Sequence, residues 1–291
     1  MPGQPLLGAH CSTAGGLNLA VQRIMDLGGQ ALQIFTRNQR QWNPRPLNDQ
    51  ETDLFKQARQ LWGSYPVMAH DSYLINLANP DEQMRSRSIK AQARELERCA
   101  LLGIDLLVTH PGAHKGQGVD KGIKTYVRSL DESLATALEL HPDTSRVMVL
   151  LETTSGQGTV LGRDFNELAA IIQACTFPDR LGVCLDTCHM FAAGYDLRTE
   201  KSYFQVMASL DRTVGLDRVR AVHLNDTRTP LGSSRDRHEH IGKGELGLEA
   251  FRLVLNDPAL ANTPMVLETP KDKAGQWDRQ NLETLHSLLR T

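Results

Sequence analysis

Eight short apolar runs recur along this chain at the spacing of one βα unit, and that period constrains the fold more than any other feature. The runs are Leu6–His10, Ala31–Thr36, Val67–His70, Asp105–His110, Val147–Glu152, Leu181–Asp186, Val219–Leu224 and Met265–Glu268. Several are near-continuous in Val, Ile, Leu and Met, the pattern of parallel strands buried on both faces. Between them lie amphipathic stretches. Glu82–Leu102 carries Ile89, Ala93, Leu96 and Ala100 at helical spacing, and Lys124–Leu140 is another. Over 291 residues the units average about 36 residues each, room for a strand, a crossover helix and two loops. Alternating β and α predicts a parallel sheet. Eight units predict its closure into a (β/α)8 TIM barrel, with residues 1–291 as one domain. An open doubly wound sheet is the alternative, but Ala14-Gly15-Gly16 after the first run lacks the full glycine spacing of a dinucleotide site.

In a parallel barrel all strand C-termini open at one mouth, so the residues that end the runs meet in space. Besides the first run, which ends in His10, five runs end in a side chain able to ligate a metal: His70, His110, Glu152, Asp186 and Glu268. In the seventh run His223 stands one residue before the end. Successive members of this series lie 34 to 45 residues apart and so track the βα period. Three further candidates follow in the loops. His189 comes three residues after Asp186, and Asp236 and His238 form an Asp-x-His pair after the seventh run. Alternate side chains of an extended segment point the same way, so that pair can serve one ion. Pro111 and Pro270 fit strands that have just left the ladder.

Singly, each of these residues is ordinarily a hydrogen-bonded histidine or an acid paired with arginine. As a set they are not. Five of the ten histidines and four acids fall in register, and an apolar core does not accept four carboxylates without positive partners. Nine side chains exceed the ~4 ligands of one zinc. Two tetrahedral zincs would take ~8 and leave no open position, whereas three need ~12 bonds, met by nine side chains, a bridging carboxylate and waters. Mixed imidazole and carboxylate ligands suit zinc, and manganese or iron also accept them. Four carboxylates against three divalent ions leave a formal surplus of about +2, ready for an anion such as phosphate.

The formal net charge is only −2, so bulk electrostatics do not announce a nucleic-acid binder. An anionic substrate must be drawn by local charge or by metals. The five cysteines are odd in number and scattered, which reads as reduced thiols in a cytoplasmic protein. Cys184 and Cys188 read as core residues or neighbours of the ligands, and His10 as a mouth residue outside the ligand set. His114, His141, His240 and His286 read as loop or surface residues. The start, Met1-Pro2-Gly3-Gln4-Pro5, has no basic leader, and no apolar run is long enough to span a membrane. The chain is expected to act as a cytoplasmic monomer without membrane contact.

Three stretches carry a resemblance. They are His70-Asp71-Ser72-Tyr73-Leu74-Ile75-Asn76-Leu77; Asp186-Thr187-Cys188-His189 running on to Ala192-Ala193-Gly194-Tyr195-Asp196; and His223-Leu224-Asn225-Asp226 with Asp236-Arg237-His238. With Gly8-Ala9-His10 and Val266-Leu267-Glu268-Thr269 at either end, the chain resembles the endonuclease IV family of apurinic/apyrimidinic DNA-repair nucleases. The resemblance implies a (β/α)8 barrel holding three zinc ions. His70, His110 and Glu152 would hold the first, with Glu152 bridging to a second held also by Asp186, His223 and Glu268. His189, Asp236 and His238 would hold the third. It implies cleavage of duplex DNA 5′ to abasic sites, giving a 3′-hydroxyl and a 5′-deoxyribose phosphate, and trimming of blocked 3′ ends. Glu152 and Glu268 are then expected to orient the attacking water.

The DNA contacts expected are Arg37, Arg40, Tyr73, Leu74, Arg228 and Arg237. The segment Thr36-Arg37-Asn38-Gln39-Arg40-Gln41-Trp42 offers phosphate contacts and stacking. The resemblance implies that Arg40, Tyr73 and Leu74 enter the helix at the lesion. A wedge costs a few kcal/mol per unstacked step and less where a base is missing, which favours the lesion. Trp42 and Arg37 have equally good readings as a packing residue and a solvated charge. The seventh loop, with Arg228, Arg235, Arg237, Lys243 and three glycines, reads as a flexible basic element. The alternatives are a sugar isomerase or epimerase on a similar barrel and a zinc-stabilised DNA-binding module. The first gives no reason for Asp236 and His238, and the second would favour a closed, Cys-rich site.

Overall fold

The computed structural model describes residues 3–272 and 275–290, so Met1 and Pro2 of the leader reading lie outside the described residues. Strands β1 (Leu6–His10), β2 (Ala31–Phe35), β3 (Val67–His70), β4 (Leu106–Thr109), β5 (Met148–Glu152), β6 (Leu181–Asp186), β7 (Val219–His223) and β8 (Pro264–Leu267) form a closed parallel barrel. Each pairs with its sequence neighbours, and β1 closes onto β8 with Gly8 opposite both Ala31 and Val266. Helices α1 (Leu17–Asp26), α2 (Asp49–Trp62), α3 (Glu82–Leu102), α4 (Val119–Leu140) and α5 (Phe165–Ala174) are crossovers. They are followed by α6 (Thr187–Ala193), α7 (Glu200–Thr213), α8 (Gly247–Leu255) and α9 (Gln276–Ser287). The expected (β/α)8 barrel is the fold observed.

Local chemistry sets the ends of these elements. Asp81 caps α3 by accepting from the Met84 amide at 2.9 Å, and Gly103 ends it in the left-handed region. Such a cap contributes about 1 kcal/mol. Asn48 and Glu51 form a reciprocal capping box on α2. α4 starts five residues ahead of the expected Lys124, on the far side of Gly122, which interrupts its apolar pattern. The runs at β1, β3 and β6 match their strands, those at β4 and β8 differ by a residue at both ends, and the others differ by a residue at one end. Thr36 leaves β2 because its hydroxyl is taken by Glu95 and its carbonyl by Arg98. His110 lies past β4, where Pro111 has no amide to extend the ladder. Glu268 lies past β8 because its amide donates to Asn225 Oδ1 at 2.8 Å.

The barrel interior explains where the polar residues can be. Ala31, Met68, Val108, Leu150, Cys184, Ala221 and Val266, one from each of β2 to β8, form a dry belt inside the barrel. β1 contributes Gly8, where a Cβ would stand 1.6 Å from the Ala31 carbonyl oxygen. Side chains alternate along a strand, so the residue two positions on faces inward again, one level nearer the mouth. Those residues are His10, Gln33, His70, His110, Glu152, Asp186, His223 and Glu268. An apolar belt seals the barrel, and the polar belt stands directly on it. The outward faces of the strands pack against the helices in a second, larger core. Among the described residues no helix is long and apolar enough to cross a membrane.

Candidate metal centre

The nine expected ligands converge at the mouth and make up three of the four groups of described residues able to hold a cation. These are His70, His110 and Glu152; then Glu152, Asp186, His223 and Glu268; then His189, Asp236 and His238. Within each group the ligand atoms lie within 4.8 Å of one another. Glu152, fully buried, belongs to two groups. Its Oε2 faces His70 Nε2 at 3.0 Å and His110 Nε2 at 3.1 Å. Its Oε1 faces His189 Nδ1 at 3.1 Å and His223 Nδ1 at 3.2 Å. The side chains of His110 and Asp236 are 41% and 42% exposed, while those of Asp186 and His223 are buried. The centre therefore meets solvent on the side of His110 and Asp236.

His189 is not a loop residue as expected; it lies in the short helix α6. Asp186 ends β6 and caps α6, accepting from the His189 amide at 2.8 Å through Oδ1. The cap fixes both residues of the Asp-x-x-His segment over the same mouth. Asp236 and His238 are held by a two-residue antiparallel ribbon, Asp226–Thr227 against His238–Glu239. Asp226 accepts from the amides of Thr227, Gly244 and Leu246, pinning the loop at both ends. At Gly244 a Cβ would stand 2.3 Å from the Thr227 carbonyl oxygen. Those bonds correct the reading of this loop as flexible: buried Asp226 outweighs its glycines. Cys188 also lies in α6, within 4.8 Å of the ligand atoms of Asp186 and His238.

The partners of the outer ring nitrogens decide what faces the pocket. Nδ1 donates to a backbone carbonyl in three histidines: His70 to Asp71 at 2.9 Å, His189 to Thr153 at 2.9 Å and His238 to Glu268 at 3.1 Å. A carbonyl can only accept, so Nδ1 carries the hydrogen and Nε2 faces the pocket. The buried Nε2 of His238 makes no hydrogen bond, although Asp236 Oδ1 stands 3.2 Å away. Asn225 donates to Asp186 Oδ2 at 2.7 Å, and Thr153 receives the Asp186 amide at 2.8 Å. His10, Gln33, Thr153 and Asn225 were absent from the expected ligand set. Two of them had a signal in the sequence, since His10 and Gln33 follow the belt residues Gly8 and Ala31 by the same two positions as the ligands follow theirs.

Charge in the centre is shared between acids and imidazoles. Burial alone would raise Glu152, but the charges of His110 and His223 and its hydrogen bonds hold it well below the carboxylate range. Burial pulls His70 down, yet Glu152 outweighs it and lifts the imidazole to about 9. Against the pull of burial, His189 is raised by Asp186, Asp236 and Glu152, His223 by Cys184, Glu268 and Glu152, and His238 by Asp236, Cys188 and Asp186. Asp236, despite its own burial, is held far down by His189 and His238. Asp71, beside His70, is pushed up to about 7 by burial. A cation entering this centre must displace imidazole protons. Zinc added to the stripped protein at pH 7 should therefore release at least one proton per chain, and binding should tighten as pH rises toward about 9. Calorimetry in two buffers of different ionisation enthalpy measures this, and zero release would refute it.

The loops around the mouth divide the expected DNA contacts. Arg40 is exposed, Tyr73 is 64% exposed and Leu74 is half-buried. The Ser72 hydroxyl donates to the Gln39 carbonyl at 2.9 Å and so ties the Arg40 loop to the Tyr73 turn. Arg37, expected among the DNA contacts, does not face solvent. It is turned inward, buried against Glu95 and the Gln41 carbonyl, and so shapes the loop instead of facing a ligand. Trp42 is half-buried against the core, so its packing reading holds. Arg228 pairs with Glu239 at 2.7 Å, and Arg237 is exposed, donating to the Asp236 carbonyl.

Comparisons with known proteins agree with this fold. The family described as a xylose isomerase-like TIM barrel matches residues 21–290. A protein of Oleidesulfovibrio alaskensis, "Probable endonuclease 4", is 51% identical over 287 residues, covering 99% of this chain and 96% of its own length. Another of that name, from Chloroflexus aggregans, is 49% identical over 286 residues, 98% of each chain. The crystal structure of endonuclease IV from Thermus thermophilus superposes with a TM-score of 0.84 at 37% identity, covering 98% of each chain.

Proposed function

The chain belongs to the endonuclease 4 family, and from that premise we propose that it is a zinc-dependent hydrolase that incises duplex DNA 5′ to abasic sites. It would leave a 3′-hydroxyl and a 5′-deoxyribose phosphate and would trim blocked 3′ ends. The observation that carries this reading is the set of three groups able to hold a cation, two of which share Glu152.

The residues fit divalent cations on their own chemistry. Four carboxylates stand among five imidazoles, and three of those imidazoles have Nδ1 bonded to a carbonyl and Nε2 turned inward. The buried Nε2 of His238 has no hydrogen-bond partner and is turned toward this group. His70, His110 and Glu152 would hold one ion. Glu152, Asp186, His223 and Glu268 would hold a second, and His189, Asp236 and His238 a third. Bound there, the ions supply Lewis-acid charge to a phosphodiester and make water acidic enough to attack near neutral pH. Glu268 and Glu152 orient the attacking water through their carboxylate oxygens. Arg237 and Arg228 meet backbone phosphates at the open side. Arg40, Tyr73 and Leu74 reach into the duplex, where a missing base lowers the cost of unstacking. A sugar isomerase on the same barrel would leave the group His189, Asp236 and His238 without a use.

One assay tests this reading. Purified protein should carry close to three metals per chain by elemental analysis and should nick a duplex with an abasic analogue. Chelation should reduce nicking to background and added zinc should restore it. In the same assay Arg40→Ala should narrow the preference for abasic over intact duplex. A reproducible count of one metal, or nicking that survives chelation, would refute the metal assignment; unchanged preference in Arg40→Ala would refute the wedge.

A further inference from the structure

Gln33 is a fully buried amide at the centre of the polar belt, outside the nine ligands. Its Nε2 donates to Glu268 Oε1 at 2.7 Å and lies 3.0 Å from His10 Nδ1. His10 Nδ1 is itself 3.1 Å from Glu268 Oε1, which closes a triangle around that carboxylate oxygen. A carboxylate accepts, so the amide is oriented with Nε2 toward Glu268. The amide oxygen therefore faces His223 Nε2, at 2.8 Å. An amide oxygen also only accepts, so His223 Nε2 must carry a hydrogen. The nitrogen left for the pocket is Nδ1, 3.2 Å from both Glu152 Oε1 and Glu268 Oε2.

We infer that Gln33, braced by His10, is a positioning residue that sets the His223 tautomer and the Glu268 rotamer together for the group of Glu152, Asp186, His223 and Glu268. The inference rests on the reading that this group holds a cation. One side chain thereby orders two ligands from strands on the far side of β1, and neither an apolar residue nor an acid can replace both halves of it. Methionine has nearly the same shape but frees the ring of His223 to choose either tautomer. Glutamate still accepts from His223 but sets a second carboxylate against Glu268.

The test uses full-length, chelator-stripped protein titrated with zinc against a chromophoric chelator, together with ¹⁵N histidine NMR. Wild type should take up three ions, with His223 protonated at Nε2. In Gln33→Met, two ions should bind as in wild type and the third about 10–100-fold more weakly, the usual effect of removing a partner that orients a ligand. Its His223 signal should lose the single Nε2–H form. Gln33→Glu should keep that form and still weaken the same ion. Unchanged affinity in both variants overturns the inference, as does equal weakening of all three ions, which would mean general loosening of the barrel. If wild type takes up no zinc, the cation reading itself fails, and that is seen before any variant is made.

Discussion

Glu268→Gln is expected to slow incision of an abasic duplex by about 10²–10⁴-fold, the range for loss of a positioned acid or base, with duplex affinity nearly unchanged. The substitution keeps the local scaffold. The Glu268 amide still donates to Asn225 and its carbonyl still receives His238 Nδ1, since both bonds use backbone atoms. The amide oxygen can still accept from Gln33 and His10. What is lost is one negative charge beside His223 and one carboxylate to orient water. Single-turnover nicking and a separate binding titration measure the two effects. Near-normal rates would remove Glu268 from the reaction, and an equal loss of binding would reassign it to substrate affinity.

Glu152→Gln is expected to act on the whole centre. The carboxylate faces four histidines and belongs to two ligand groups. Its loss should leave at most one tightly held ion per chain, in the group of His189, Asp236 and His238, and reduce incision to background. In the stripped protein it also leaves raised imidazoles without their main counter-charge, a loss of about 3–5 kcal/mol for a broken buried pair. The pH window follows from the shifts. Glu152 is depressed, so its contribution is complete above the ordinary carboxylate value of 4.5 and fades as pH falls through its lower folded value. His70 is raised, so its share is complete below 6.5 and is lost as pH rises through about 9. The gap between stripped wild type and variant should be widest between pH 4.5 and 6.5 and should shrink by pH values above about 9. Denaturant titrations at both ends measure it; equal stability within that acidic window would contradict the counter-charge role.

Much of the fold was legible because the barrel repeats one local rule. Each strand must be apolar on both faces, and each unit must supply a helix, so the βα period is written in the residue order. The convergence of the candidate ligands was legible for the same reason, since six of them ride on that period. The supporting residues were harder to read. Asn225 looks like an ordinary polar residue in sequence, and Gln33 shows only its place on the inward period. Their significance comes from distances of 2.7–2.8 Å to Glu268, His223 and Asp186, which involve strands far apart in the chain.

Arg37 shows the converse. In the sequence it is one more cation in a basic loop beside Arg40. Its burial depends on Glu95 in α3, fifty-eight residues away, and no local pattern records that pairing. The glycines of the seventh loop misled for a similar reason, since the bonds from buried Asp226 tie residues up to twenty positions apart. His189 differed again: its helix is a single capped segment of seven residues, too short for a periodic signal.

The residue order by itself determined the strand count, the mouth at which the candidate ligands meet and the chemical type of those side chains, because periodicity and side-chain alternation are local properties of the backbone. Only the tertiary structure decided which imidazole nitrogen each candidate ligand presents, which buried polar residues brace it, and which arginines stay at the surface. Those outcomes depend on hydrogen bonds and buried charges between segments that meet only when the barrel closes.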